Sequence, residues 1–297
     1  MADVAAGLDQ AAPRRRTETG AARRELAFEV LRSKLFLAGS VVVGYWVFWA
    51  VAGSGLTPQD PLGNSDEVLR SPSFDHWFGT DLLGRDVFSR VHAGATETLA
   101  VAPLATLLGV VAGATIGMIA GYVAGSAVDE AIGRAIDAVL AIPLLVLAAV
   151  LIAALGITST ATQVLVIGLA FTPIVARTVR AAVLSEVQLD YVVAARVRGE
   201  RPAYIMAREI LPNVRGPIIV EATVRLGYAI FTVANLKFLG FGPQPPSPDW
   251  SLQIRESYGL LANGGYWWTV LFPALAICTL VVGVHLVTDG LHQVLDL

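Results

Sequence analysis

The sequence contains only two lysines, one cysteine and four histidines among 297 residues, and each scarcity excludes a class of site. A phosphate-binding loop needs the pattern Gly-x-x-x-x-Gly-Lys-Ser/Thr. Lys34 follows Ser33 and Lys237 follows Leu236, so neither lysine completes it. With Cys278 alone, an internal disulfide and a thiolate metal cluster are excluded. The histidines lack metal-ligand spacing, so we predict no catalytic residue, no metal and no cofactor on this chain.

Charge is also scarce. Charged residues make up 15% of the chain, hydrophobic residues make up 55%, and the mean hydropathy is +0.64. This composition is too apolar for an ordinary soluble domain and is typical of a protein that crosses a membrane several times.

Windows of about 20 apolar residues predict six transmembrane helices, hence an all-α integral membrane protein. The predicted spans are residues 35–53, 99–122, 136–155, 163–182, 218–236 and 269–287. The predicted organisation is a cytosolic tail (1–34), a first span (35–53), an extracytoplasmic loop (54–97) and a core (98–297). Pro143 and Pro173 are expected to bend spans three and four.

Basic residues are concentrated on one predicted side of the membrane. The tail, the loop after span two and the segment 177–215 together hold fifteen Lys and Arg, against four in the opposite loops. By the positive-inside rule, both termini and the segment 190–216 are expected in the cytosol. A nucleic-acid-binding arm is the rival interpretation of the tail, but acidic residues interleave with its arginines, and no nucleic-acid partner is predicted.

The segment 190–216 is the longest strongly charged interruption after the tail. Gly199 is predicted to end a first short helix (about 191–198) with a left-handed backbone. A second helix is predicted to open near Pro202 and to stop before Pro212. Its predicted common face consists of Tyr204, Ala207, Arg208 and Leu211. The alternative is a surface hairpin whose alanines, Ala194 and Ala195, merely permit close packing.

Glycine recurs at every fourth position of span two. The stripe predicts a close helix–helix contact, with a flexible pore-lining face as the alternative. Its members are Gly109, Gly113, Gly117, Gly121 and Gly125.

The first outer loop contains the sequence HWFGTDLLGRDVFSR at residues 76–90. Thr80 or Asp81 is predicted to cap a short helix, and Gly84 to form a turn. Asp75, Asp81 and Asp86 would be the ligands of a calcium loop, but their spacing does not give its alternating ligands.

Glu221 and Arg225 are four residues apart in span five and can therefore pair. They are expected to reach the cytosolic interface, and a position facing the protein interior is the alternative.

Several collinear stretches resemble one family. Residues 76–90 are similar to the motif H-x-F-G-T-D-x-x-G-R-D-x-x-S-R of the dipeptide/oligopeptide/nickel subgroup of ABC importer permeases, in its second, "C-type", permease subunit. The segment 190–216 resembles the EAA coupling loop of the wider family, with Val193 and Glu209 departing from it. Further matching positions are Arg134, Asp137, Ala141, Ile142, Pro143, FLGFG at 238–242, Phe272-Pro273 and TDGL at 288–291.

The resemblance implies a type I ABC importer permease fold in the plasma (inner) membrane of a bacterium. It implies as partners a homologous second permease, two ATP-binding cassette subunits that bind ATP and Mg, an extracytoplasmic solute-binding protein and the lipid bilayer. Substrates would be di- or oligopeptides, or alternatively nickel, haem or another small solute. The ATPase-coupling residues it implies are Tyr191, Ala194, Ala195, Gly199, Tyr204, Arg208, Leu211 and Pro212.

Two rivals from other classes are a secondary transporter and a channel or membrane scaffold. A secondary transporter would carry coupling-ion residues at the midplane and often an internal repeat, and neither is visible in the sequence. A channel or scaffold would not need a 27-residue cytosolic helix pair. The sequence leaves open the solute, the substrate-path residues, whether the ATPase pair is one fused chain, and the roles of Arg225 and Lys237.

Overall fold

A computed structural model describes Phe28, Val30 and residues 32–156 and 158–295. The regular secondary structure of these residues is helical, apart from a single β-bridge between Thr80 and Asp86. The predicted tail 1–34 lies almost wholly outside the described residues.

The helices follow one another with short connections except for the loop between the first two. In chain order they are α1 (Lys34–Ala52), α2 (Val87–Ala93), α3 (Ala95–Tyr122), α4 (Ala127–Leu140), α5 (Leu144–Leu155), α6 (Thr160–Glu186), α7 (Asp190–Val197), α8 (Pro202–Tyr204), α9 (Leu211–Leu236), α10 (Trp250–Ser257), α11 (Leu260–Gly264) and α12 (Trp268–Leu295). π-helical segments (Ile205–Ile210 and Lys237–Phe241) flank α9.

Aspartate residues in the outer loop have different roles from those predicted. Asp86, rather than Thr80 or Asp81, caps α2 by accepting a hydrogen bond from the Ser89 amide. Asp81 accepts hydrogen bonds from two amides of the following turn instead, in which Gly84 has a φ of 69°. The predicted turn at Gly84 is therefore confirmed, and the predicted cap lies five or six residues too early.

Five helical segments among the described residues are long and apolar enough to cross a bilayer. The predicted third span, 136–155, is not one straight helix, because α4 and α5 meet at 88° across Ala141–Pro143. Pro143 disfavours helix at the residue before it and lacks the N–H that a continuous helix would use. Since α5 alone is only about 18 Å long, a sixth span requires the bent pair to act as one.

Helices α3 and α6 form the most extensive contact of the fold, and glycine makes it possible. A Cβ added to Gly113 would lie 2.5 Å from Val175 Cβ, and one added to Gly117 would lie 2.5 Å from the Ala176 carbonyl oxygen. Gly109 and Gly121 lie equally close to α6. These four positions therefore bring two helix backbones together, as small residues do in membrane interfaces.

Gly125, predicted as the fifth member of the stripe, does not take part in this contact. It lies beyond the end of α3, has a φ of 80°, and an added Cβ would find no atom within 4 Å. The turn into α4 requires the positive φ of Gly125, and the Gly125 N–H donates a hydrogen bond to Asp129 Oδ2 there.

Polar side chains fasten the outer loop to α10. We call Asp81, Arg85, Arg90 and Glu256 the polar cap. Asp81 receives Arg85 Nε at 2.7 Å and the Arg90 guanidinium, and Arg85 Nη2 reaches Glu256 Oε2 at 3.0 Å. Except for Glu256 these side chains are buried, so each charge depends on its partner.

A second buried ion pair joins the end of span five to the same loop layer. Lys237 Nζ lies 2.8 Å from Asp249 Oδ2 and donates to the Glu97 carbonyl oxygen at 3.0 Å. Asp249 Oδ1 separately caps α10 through the amides of Ser251 and Leu252. The sequence left the role of Lys237 open. Its buried ammonium group links the end of α9 to α3 and α10.

Gly117→Ala tests the α3–α6 contact. The added methyl group would meet backbone atoms of α6, which cannot move aside cheaply, so we expect a cost of about 1–3 kcal/mol and a lower thermal unfolding temperature of the purified protein. Gly44→Ala is the control, because a Cβ there meets nothing within 4 Å. Equal stability of the two variants would refute the contact.

Lys237→Met tests the buried pair. It leaves the Asp249 carboxylate buried without its cation, and breaking such a pair costs about 3–5 kcal/mol. Adding Asp249→Asn removes the orphaned charge while retaining the capping oxygen, so the double variant should recover part of the lost thermal stability. A double variant as unstable as Lys237→Met would contradict the pairing.

Candidate functional site

Gly199 ends α7 as predicted. Its φ is 74°, its N–H bonds the Arg196 carbonyl, and the Glu200 N–H bonds the Ala195 carbonyl. This pair of bonds is the Schellman arrangement, in which glycine takes the left-handed position. An added Cβ would meet no atom within 4 Å, so the constraint on this position is in the backbone alone.

The second helix opens at Pro202 as predicted, but it does not stop before Pro212. Helix continues from Pro202 through the π-helical segment and α9 to Leu239, and the non-helical backbone of Gly240 ends it. The Leu211 N–H bonds the Met206 carbonyl, five residues back, so the hydrogen-bond register shifts next to the proline. A proline lacks an amide donor, and this shift lets the helix pass it without breaking.

One side of the segment 190–216 is anchored on the transmembrane helices. Ile205, Ile210 and Val214 are buried with Val192 and Ala195 in a cluster. The cluster also contains valines and a methionine of α3 and α6, namely Val110, Met118, Val175, Val179 and Val183. Because this core is apolar and continuous, the segment is held firmly on the ends of α3 and α6.

The opposite side is exposed and largely apolar. Val197 is 82% exposed and Tyr204 is 50% exposed. Both have largely apolar side chains, and both lie outside the predicted spans. We call this the loop surface, formed by Val193, Ala194, Val197, Tyr204, Arg208 and Leu211. Gly199 and Pro212 are also exposed.

Ala195 does not belong to the loop surface. It is fully buried against this chain, whereas its neighbour Ala194 is exposed. A partner docked on the loop surface would therefore meet Ala194, and a large residue at position 195 would disturb the internal core first. The interpretation of Ala195 as a docking residue is corrected to an anchoring one.

Tyr191 is half-buried at the start of α7. Its hydroxyl donates to the Glu186 carboxylate and accepts from Asn213 Nδ2 at 3.1 Å. Burial and the Glu186 carboxylate raise the pKa of Tyr191 to about 12, so the phenol remains a donor at physiological pH. Tyr191 thereby joins the end of α6 to the start of α9. The sequence singled out neither Glu186 nor Asn213.

Ion pairs hold α4 across α6 at the same end of the molecule. Asp129 receives Arg180 Nε at 2.6 Å and Nη2 at 2.8 Å, and Asp137 pairs with Arg177. The Asp129 pair is bidentate and its carboxylate is buried, so it is the stronger anchor. The exposed Asp137 pair adds little to stability.

Glu221 and Arg225 form the predicted pair within α9, with Arg225 Nε 2.6 Å from Glu221 Oε1. Both side chains are largely buried, so they face the protein interior, and the expectation that they reach the interface is wrong.

Comparison with known proteins relates this arrangement to a family. Residues 113–296 match the family described as "Binding-protein-dependent transport system inner membrane component". The chain is 36% identical to the dipeptide transport system permease protein DppC of Alkalihalophilus pseudofirmus, over 92% of this chain and 89% of that protein.

Two further relatives carry related names. A putative peptide transport system permease protein of Brucella suis is 34% identical over 91% of this chain and 90% of its own length. The glutathione transport system permease protein GsiD of Shigella flexneri is 36% identical over 90% of this chain and 85% of its own length. The chain therefore belongs to the family of binding-protein-dependent transport system inner membrane components.

Proposed function

We propose that this chain is one permease subunit of a bacterial ABC importer for short peptides. It would work with a homologous second permease, two ATP-binding cassette subunits and an extracytoplasmic solute-binding protein. The family supports a transport permease of the inner membrane, and the names of the relatives support peptides as the cargo. ATP and Mg²⁺ would be bound by the ATPase subunits.

The observation that carries the coupling part of the proposal is the loop surface. Val193, Val197 and Tyr204 are exposed apolar side chains on the short helices α7 and α8, and Leu211 is exposed at the start of α9. Exposed apolar side chains outside the spans are typical of a site for a protein partner, because docking removes their apolar area from solvent. A cleft on an ATPase subunit is the partner that fits two short helices with a fixed angle between them.

Orientation follows from the basic residues. With the loop surface in the cytosol and the bent pair α4–α5 counted as one of six spans, both termini would be cytosolic and the polar cap would face the solute-binding protein. Arg196, Arg198, Arg201, Arg208 and Arg215 then lie on the cytosolic side near the proposed ATPase contact.

The mechanism requires no covalent step on this chain. When the ATPase subunits close on ATP, they displace the loop surface that is docked on them. The helix from Pro202 to Leu239 carries this displacement into span five. Since the segment is also anchored on α3 and α6 by its buried core, the displacement opens the path between the two permeases rather than deforming the loop.

Uptake by the complex in proteoliposomes tests the function. The panel consists of dipeptides, longer oligopeptides, glutathione, nickel and haem, each with the cognate binding protein and with ATP inside or outside. We expect ATP-dependent accumulation of at least one peptide class. Transport of nickel or haem with no peptide transported would overturn the substrate assignment, and accumulation without ATP or the ATPase subunits would overturn the ABC assignment.

Val197→Glu tests the coupling surface. A carboxylate in a docked apolar surface would be buried without a partner. We therefore expect a loss of roughly tenfold or more in the ATPase recovered with the permease, equivalent to about 1.4 kcal/mol of binding. Uptake should fall in parallel while the variant inserts normally, because Val197 contributes little to the internal core.

Val68→Glu is the matched control, since Val68 is an exposed valine of the outer loop. It should leave ATPase recovery unchanged. Full ATPase recovery and uptake by Val197→Glu would show that the loop surface is not the docking site.

A further inference from the structure

An apolar groove of about 500 Å³ opens between α1 and α12, at the end of α1 that leads into the outer loop. Trp46, Val91 and Ala276 form its buried floor. Val41 and Leu275 form its walls, and both are exposed. Because α1 and α12 are long and apolar enough to cross a bilayer, the open side of the groove faces the membrane around these two spans.

The sequence explains why the groove lies at this end of the helix pair. Toward the other end, α1 and α12 approach each other closely, and a Cβ added to Gly39 would lie 2.6 Å from the Gly283 carbonyl oxygen. Next to the outer loop the residues between the helices are large instead, with Trp46 on α1 and Phe272 on α12. Small residues let helix backbones meet, whereas large ones hold them apart and leave space beside them.

Polar side chains in the lining are already paired within the protein. Trp46 Nε1 donates to Thr279 Oγ1 at 3.1 Å, and this hydroxyl donates to the carbonyl one turn earlier in α12 at 2.7 Å. His92 Nδ1 lies 2.8 Å from the Phe88 carbonyl oxygen, so Nδ1 donates there and Nε2 accepts from the Tyr45 hydroxyl at 2.5 Å. The donors of these side chains are thus used, and water in the groove would find few of the partners it needs.

Aromatic residues indicate the depth of the groove in the membrane. Tyr45, Trp46 and Trp49 lie near the end of α1, and such residues are enriched where a span meets the headgroups. The groove reaches from Tyr45 and Trp46 to Val41, about 12 Å along the helix from Trp49. It therefore lies in the layer that acyl chains of the adjacent leaflet occupy, beneath their headgroups.

The position of α1 favours lipid over a protein as the occupant. Of the nineteen residues of α1, two are buried, namely Gly39 and Trp46, so this span is peripheral. A second apolar groove, of about 340 Å³, runs between another face of α1, at Val47 and Val51, and the start of α3. A partner helix packed on one face of α1 leaves the other groove uncovered, whereas acyl chains surround a peripheral span on every open face.

We propose that the groove between α1 and α12 is a binding site for one acyl chain of a phospholipid in the adjacent leaflet. The apolar walls contact the chain, and the close helix contact at Gly39 limits how deep the chain reaches. A bound chain fills the space between the two helices and stabilises a span that buries little surface of its own. The inference requires only that the chain lies in a membrane and does not depend on which solute is transported.

Val41→Trp tests the site, because an indole on this wall would occupy the groove while its buried floor stays unchanged. The full chain is purified in mild detergent, dioleoyl phosphatidylethanolamine is added, and bound lipid is counted by native mass spectrometry. We expect one tightly held phospholipid on the wild type and binding at least about tenfold weaker on Val41→Trp, equivalent to losing the burial of about two methylene groups.

Val111→Trp is the matched control, since Val111 is an exposed valine of α3 outside the groove. It should hold the phospholipid as the wild type does. Added phosphatidylethanolamine should also raise the thermal unfolding temperature of the wild type and of Val111→Trp more than that of Val41→Trp. Equal lipid binding by the wild type and Val41→Trp would overturn the proposal.

Photo-crosslinking separates lipid from protein as the occupant. Benzoylphenylalanine in place of Val41, irradiated in cells that produce the complete transporter, should give adducts with phospholipid, detected as a mass increase of the peptide that contains position 41. A crosslinked product that contains a second polypeptide would assign the groove to a protein contact and contradict the proposal.

Discussion

The helix that runs from Pro202 to Leu239, where Gly240 breaks it with a φ of 98°, is the constraint on which the rest of the structure depends. Inside a bilayer, backbone amides must be satisfied within the protein, so a span that passes prolines has to absorb their missing donors locally. Here a π-helical turn does so beside Pro212, and a second π-helical segment ends the span at Lys237. As a result, Tyr204, Arg208 and Leu211 of the loop surface lie on the same hydrogen-bonded helix as span five.

The remaining helices form two groups: those joined by the α3–α6 contact and by buried side chains, and the bent pair α4–α5. Glycines allow the backbones of α3 and α6 to pack closely together. The apolar cluster that α3 and α6 share with the segment 190–216 continues this packing to the end of the molecule where that segment lies. At the other end, the polar cap and the Lys237–Asp249 pair fix the outer loop and α10 to the spans. By contrast, α4 and α5 turn by 88° at Pro143, and α4 is held on α6 by ion pairs rather than by a continuous core.

The sequence predicts those features whose cause is local. Long apolar windows located the spans, and Gly199 predicted a left-handed helix end because few other residues adopt that backbone readily. The helix end predicted at Pro212 was wrong, since the local preference of proline for ending helices is overridden by a π-helical turn that leaves no sequence signature. The distinction between Ala194 and Ala195 depends on the rotation of an eight-residue helix, which two adjacent alanines do not reveal. The contacts of Arg85 and Arg90 with Glu256 join residues that are 171 and 166 positions apart in the chain, so they emerge only from the folded structure.

The most direct measurement of the central claim is the distance between spin labels at positions 203 and 219 in the assembled transporter, which bracket Pro212 and Pro217. Ala203 and Ile219 are both exposed and lie outside the loop surface, and a separation of sixteen helical residues places their Cα atoms about 24 Å apart. Double electron–electron resonance should give one narrow distribution that is the same without nucleotide and with ATP trapped, because the two positions move as one rod. A distribution that broadens or shifts by several ångströms between the two states would place a hinge at the prolines and contradict the transmission of ATPase closure along span five.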